Sequence, residues 1–228
     1  MKSLWMAPAC LLLSSAVTAA ELSSTVGFTS DYRFRGISQT AGDAAVQGSI
    51  DVALDNGLYA GIWGSNVDFG DDANLEIDWY AGYWAEINDN MSWDATLYYY
   101  TYPGYDAADA DYAEVDFNFY YGGLKLEYAF ANDYVNLSEE AHYVALDYSY
   151  AVTEQVSLDL HAGHSFGDYW DEIDIGDYSD FSVGASTALA GLDLSLAYLF
   201  NGLDSDQEIE TGAFRNDETV LLTVSRSF

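Results

Sequence analysis

In Leu75-Glu76-Ile77-Asp78-Trp79-Tyr80-Ala81-Gly82-Tyr83-Trp84-Ala85-Glu86-Ile87, apolar and polar side chains alternate almost one by one. Leu75, Ile77, Trp79, Ala81, Tyr83, Ala85 and Ile87 share one parity, and Glu76, Asp78 and Glu86 share the other. Successive side chains of an extended strand point to opposite faces, so a period of two predicts a strand with one apolar and one polar face. A strand of a soluble antiparallel sandwich reads the same way. The connections between such segments separate the two cases.

Working outward, twelve segments of this kind run near residues 22–37, 43–54, 58–69, 75–87, 91–102, 111–121, 124–131, 140–152, 156–167, 178–189, 192–201 and 217–228. Their connections alternate in length. Short ones with hairpin-turn character are Asp55-Asn56-Gly57, Asn88-Asp89-Asn90, Gly122-Gly123, Thr153-Glu154-Gln155 and Ala190-Gly191. Longer, acidic ones lie between them, as at 68–74, 103–110, 132–139, 167–177 and 202–216. Short turns at one end and long loops at the other is the plan of a transmembrane antiparallel up-and-down β-barrel, with the turns periplasmic and the loops extracellular. About twelve strands are expected, with ten to fourteen as the range, and an even number returns both termini to the periplasm.

Strand charges test this expectation, because Arg or Lys facing lipid at the bilayer midplane costs about 2–4 kcal/mol, and Asp or Glu less. Asp31, Arg33, Arg35, Asp51, Glu76, Asp78, Asp94, Glu114, Asp116, Lys125, Glu127, Asp147, Asp159 and Asp193 all fall on the parity assigned to the lumen. The opposite parity holds Val26, Phe28, Tyr32 and Phe34 near the start, and Leu124, Leu126, Tyr128 and Phe130 in the middle. Arg226 is the exception, near enough to the end to snorkel to the interface. Residues 58–69 are apolar on both parities, which leaves their facing open.

Residues 1–20 have one cation, Lys2, an apolar run from Leu4 to Val17, and the small residues Thr18, Ala19 and Ala20. That pattern predicts a signal peptide cleaved near Ala20, with 21–228 as the exported barrel. The sole cysteine, Cys10, precedes Leu11-Leu12-Leu13 within this run and would leave with it, so no disulfide is expected. A net charge of -32 leaves only Arg33, Arg35, Lys125, Arg215 and Arg226 as cations after residue 20, which excludes nucleic acid as a partner. Such self-repulsion would strain a compact soluble domain but suits long loops and a watery lumen. The 20 Tyr and 6 Trp fit strands and membrane interfaces.

At the end of the chain Val220, Leu222, Val224 and Phe228 share the lipid parity. This resembles the C-terminal signal through which the barrel-assembly machinery recognises outer-membrane clients, with Arg226 departing from the usual apolar residue. The opening stretch, Val26-Gly27-Phe28-Thr29-Ser30-Asp31-Tyr32-Arg33-Phe34-Arg35-Gly36-Ile37-Ser38-Gln39-Thr40, resembles the opening motif of the TorF family of porin-like proteins. The same family is catalogued as the conserved hypothetical proteobacterial group Gcw_chp. The similarity extends over the mature chain, but its specific part is this motif. It implies location in the outer-membrane lipid and a channel through which small hydrophilic solutes or ions diffuse, with no cofactor. It names no solute.

Several candidate roles follow. Asp31, Arg33 and Arg35 are expected on one side of one strand, facing the lumen, either bridging to neighbouring carboxylates or forming the constriction that selects solutes. With Glu76, Asp78, Asp94, Glu114, Asp116, Lys125, Glu127, Asp147 and Asp159 they form the expected pore lining, whose acidity would favour cations. Lumen-filling tyrosines such as Tyr98, Tyr100 and Tyr143 would instead favour a non-conducting barrel with a structural or adhesive role for its loops. Asp168, Asp171, Glu172, Asp174 and Asp177 crowd together without calcium-loop spacing, so no metal site is expected. His161 shares a predicted face with Asp159 and Ser165, but strand neighbours two apart are about 6.6 Å apart at the backbone. A hydrolytic triad is therefore not expected, and the chain is not read as an enzyme. No sequence feature identifies a subunit-contact face.

Overall fold

The computed structural model describes residues 20–203 and 207–228; the predicted signal peptide, apart from Ala20, lies outside them. Twelve strands form a closed antiparallel barrel. In chain order they are β1 (Ala20–Thr29), β4 (Ala45–Leu54), β5 (Leu58–Asn66), β6 (Leu75–Asn88), β7 (Met91–Thr101), β8 (Tyr112–Tyr121), β9 (Leu124–Ala131), β10 (Ala141–Ala151), β11 (Val156–Phe166), β12 (Tyr178–Leu189), β13 (Leu192–Asn201) and β14 (Thr219–Ser227). Two short strands, β2 (Arg33–Phe34) and β3 (Ile37–Ser38), pair with each other outside the wall. A single helical turn, α1 (Asp168–Glu172), and a 3-10 turn (Tyr134–Asn136) sit in the longer loops.

Each wall strand pairs with its sequence neighbour, and β1 closes the ring on β14 with Phe28 opposite Val224. The Phe228 amide donates to the Ser24 carbonyl at 2.9 Å, continuing that seam to the last residue. Closure satisfies every edge, which is what lets strands stand in lipid. The short connections 55–57, 89–90, 122–123, 152–155 and 190–191 lie at one end of the barrel, and the long ones at the other. Ala190 and Gly191 both have positive φ, 54° and 77°, as a two-residue turn matched to strand twist requires.

Leu22, Val26, Ile50, Trp79, Leu97, Val115, Leu126, Leu146, Leu160, Leu196, Val220 and Leu222 stand exposed around the outside. An apolar surface this extensive would be an association hazard in water and is the expected outer face of a barrel in a bilayer. The opening stretch behaves as its parity predicts: Leu75, Trp79 and Tyr83 are exposed, while Glu76 and Asp78 are buried inside. The open facing of 58–69 resolves with Tyr59, Gly61, Trp63 and Ser65 inward, since the Tyr59 hydroxyl bonds Asp94 and the Tyr80 ring lies over Gly61. No helix among the described residues is long and apolar enough to cross a membrane, which leaves spanning by strands untouched.

One expectation changes. Residues 22–37 are not a single strand: β1 ends at Thr29 and the chain leaves the wall. A sixteen-residue strand would be longer than even β6, the longest wall strand at 14 residues, where roughly 9–11 suffice to cross a bilayer. Residues 30–44 instead turn inward. Arg35 and Gly36, at φ 48° and 82°, form the tip of the β2–β3 hairpin. Parity stops meaning lipid or lumen once the chain is inside, so Tyr32 and Phe34, expected to face lipid, are internal. The Tyr32 ring meets Trp63 edge-on at 5.4 Å, and the Phe34 ring meets Tyr100 at 6.1 Å.

Candidate functional site

The barrel interior is built around this inward segment. In the ring of strands β9 stands six places from β1 in both directions, so it lies on the opposite wall. The hairpin leaves β1 and its tip reaches β8, β10 and β12, which means it crosses the lumen. Arg35 makes the crossing fast. Its two terminal nitrogens donate to the two Glu114 oxygens, each at 2.8 Å, while its guanidinium lies 4.6 Å from the Tyr143 ring. The Tyr178 hydroxyl donates to the Arg35 carbonyl at 2.8 Å. Gly36 packs on β12 where no side chain fits, since a Cβ there would lie 2.8 Å from that of Asp180.

Arg33 clamps the base of the hairpin. Its Nε donates to Asp31 at 2.6 Å, and its terminal nitrogens reach the carbonyls of Gly36, Arg215 and Asp217 and the Asp217 carboxylate at 3.0–3.2 Å. Asp31 also accepts from the Ser38 hydroxyl at 2.6 Å and from Thr40 at 3.2 Å. Arg33 thereby ties the inward segment to the loop that precedes β14. Burial acts to raise the Asp217 carboxyl, but hydrogen bonds from Arg215 and Arg33 outweigh it and hold the group below the usual carboxylate range. Asp31, Arg33 and Arg35 therefore sit within the lumen, on a crossing hairpin and not on one face of a wall strand.

Strands β6 to β8 present Glu76, Asp78, Asp94, Glu114 and Asp116 to the interior, all buried, with Glu76 at the loop end of β6. Asp94 is well satisfied by Tyr120 at 2.8 Å and by Tyr59 and Asn118 at 3.2 Å. Glu76 Oε2, Asp78 Oδ1 and Asp116 Oδ1 have no hydrogen-bond partner. On the adjoining β9, Lys125 pairs with Glu127 at 2.6 Å and reaches Asp147 at 4.0 Å. His161 lies between Asp147 at 2.6 Å and Asp180 at 2.9 Å, and the Tyr143 hydroxyl approaches its Nε2 at 3.1 Å. Asp159 and Asp51 sit toward the turn end, bonded by Ser149 at 2.7 Å and Ser49 at 2.8 Å. Asp193 is exposed at the mouth there, a recess of about 380 Å³ that Ser157, Ser186, Thr223 and Ser225 also line.

Toward the loop end the interior is filled by aromatic rings. Tyr100 stacks on Tyr112 at 4.5 Å, and Tyr134, Trp170 and Tyr178 continue the cluster. Tyr100 and Tyr143 are buried, and Tyr98 packs against the same cluster. Asp159, His161 and Ser165, which share a face in sequence, form no relay, because both His161 nitrogens are engaged by Asp147 and Asp180. Among the described residues no group of three or more His, Cys, Asp or Glu is placed to hold a metal ion. Asp180, Asp217 and Trp170 escaped the sequence reading: their roles depend on partners far away in the chain, and no local pattern marks them. At the terminus Val220, Leu222 and Phe228 face outward, Val224 is half-buried, and the Arg226 guanidinium folds over the Phe228 ring at 4.9 Å.

The fold is that of outer-membrane porins. The NanC porin superposes with a TM-score of 0.56 at 10% identity, over 90% of this chain and 98% of that one. An outer-membrane channel from Pseudomonas putida F1 superposes with a TM-score of 0.54 at 15% identity, over 91% and 95%. Identities this low speak for architecture alone. No curated protein matches the chain. A family model described as a bacterial protein of unknown function, Gcw_chp, matches residues 14–228, and the chain belongs to that family.

Proposed function

We propose that the protein is a narrow outer-membrane channel through which small hydrophilic solutes or ions diffuse, with cations preferred. The TorF porin name suggested by the opening motif is part of this proposal. The observation that carries it is the inner wall of β6 to β8, where buried carboxylates face the lumen and several of their oxygens lack a protein donor. Inside a closed barrel such oxygens lower the energy of a passing cation and raise that of an anion. The mouth at the turn end, periplasmic on this reading, is lined by hydroxyls together with the carboxylates of Glu154 and Asp193, which add to the pull on cations. Planar-bilayer recordings in a salt gradient are expected to give a reversal potential of the sign set by cation permeation; anion selectivity would overturn the preference.

A second reading is favoured by a different observation. The crossing hairpin and the buried rings of Tyr100, Tyr112 and Tyr143 narrow the loop end. A barrel sealed there would serve through its loops, as a structural or adhesive surface protein. Liposomes containing the protein separate the two: swelling in small sugars supports the channel, and none supports the sealed barrel.

A further inference from the structure

At the loop end, above the hairpin, lies a cavity of about 420 Å³. All six long connections contribute to its lining, through Ile37, Phe69, Tyr105, Val135, Ile173 and Phe214. The walls are mostly apolar and aromatic, and the size is in the range of small-molecule sites. Besides Gln39, Asp109 and tyrosine hydroxyls, the lining holds two polar groups that are both buried and unpartnered. Glu76 is 3% exposed with Oε2 unpartnered, and Trp170 is 3% exposed with its indole Nε1 unpartnered. A buried acceptor and a buried donor left unmatched each cost free energy comparable to a lost hydrogen bond, unless a ligand engages them. Around the rim Asp71, Asp72 and Asp106 are exposed, and Asp71 accepts from the Tyr105 hydroxyl at 3.0 Å. These charges concentrate cations at the entrance.

We propose that this cavity binds a small arylalkyl amine. The ring packs among the apolar walls, the ammonium group donates to Glu76, and a hydroxyl or ether oxygen on the ligand accepts from the Trp170 N–H. Apolar walls exclude a bare hydrated ion, and the carboxylate disfavours anionic ligands. The site lies outward of the crossing hairpin, so it is a recognition site in the vestibule and not the constriction. It rests on the channel reading only for its placement at the cell exterior.

The test uses the full barrel in lipid nanodiscs, titrated by calorimetry against empty nanodiscs. The probes are tyramine, its neutral alcohol counterpart tyrosol, and the anion para-hydroxyphenylacetate. Tyramine is expected to bind saturably and most tightly, tyrosol more weakly, and the anion weakest. Glu76→Gln is expected to lower tyramine affinity by about tenfold while leaving tyrosol within about twofold, the loss of one charge-assisted hydrogen bond. Ala108→Trp, a loop change on the cavity wall, fills the space without touching the barrel strands and is expected to abolish binding of both. Saturable tyramine binding that survives Ala108→Trp, equal affinity for tyramine and the anion, or no saturable binding of any probe would overturn the proposal. Binding is read without current, so its failure leaves the channel reading standing, and failure of conduction leaves the site standing.

Discussion

Two adjoining arcs of the barrel wall, which meet where β8 pairs with β9, treat charge differently. Along β9 to β12 most charged groups are matched, Lys125 with Glu127 and Asp147 and His161 between Asp147 and Asp180, while Asp159 is held by the Ser149 hydroxyl. Along β6 to β8 five buried carboxylates meet a single protein cation, Arg35, which is spent on Glu114. The matched wall has the character of a structural network that fills a small barrel, whereas the unmatched wall keeps an electrostatic demand that only solvent or a passing cation meets. Arg35 belongs to neither wall, because it arrives from β1 on the crossing hairpin.

The comparison breaks most readily at Glu114. Its side chain is 1% exposed and pairs with Arg35 through two hydrogen bonds, so Glu114→Gln leaves a buried guanidinium without its counter-ion. A cost of about 3–5 kcal/mol is expected, read from unfolding in detergent followed by tryptophan fluorescence. A loss below about 1 kcal/mol would mean that water compensates the guanidinium, and the crossing hairpin would not be locked. The double variant with Arg35→Met is expected to recover part of the loss, since it removes the stranded charge too.

Selectivity sharpens the comparison at intermediate cost. Asp78→Asn with Asp116→Asn removes two carboxylates that each have one oxygen without a donor, so folding is expected to change little while cation preference falls severalfold in bilayer recordings. The paired control, Lys125→Met with Asp147→Asn, removes opposite charges together and is expected to leave selectivity nearly unchanged. If the control moves the reversal potential as far as the first pair does, the distinction between the walls fails.

The smallest effect is expected at the clasp between Arg33, Arg215 and Asp217. Because Asp217 is held below its unfolded value of about 3.9, its contribution is fully present above that value and is lost as pH falls through the folded one. Melting temperature followed from about pH 5 to pH 2 is expected to drop less steeply in Asp217→Asn than in the unaltered protein. An identical slope in both would remove the clasp from the account of how the hairpin is held.

The wall was legible in the sequence, because a bilayer imposes a binary choice on each strand residue and a period of two expresses it locally. Glu76, Asp78, Glu114 and Asp116 could be placed inside by parity alone. Hairpin signals such as Ala190-Gly191 gave the connectivity in the same local way. What local pattern does not encode is where the chain abandons the wall. Asp31, Arg33 and Arg35 keep the same alternation in a strand or in an inward hairpin, and only the partners distinguish them. Arg35 meets Glu114 across 79 residues, and Arg33 meets Asp217 across 184. Those pairings, and therefore which carboxylates are neutralised and which remain open, arise only when closure of the ring brings distant segments together inside it.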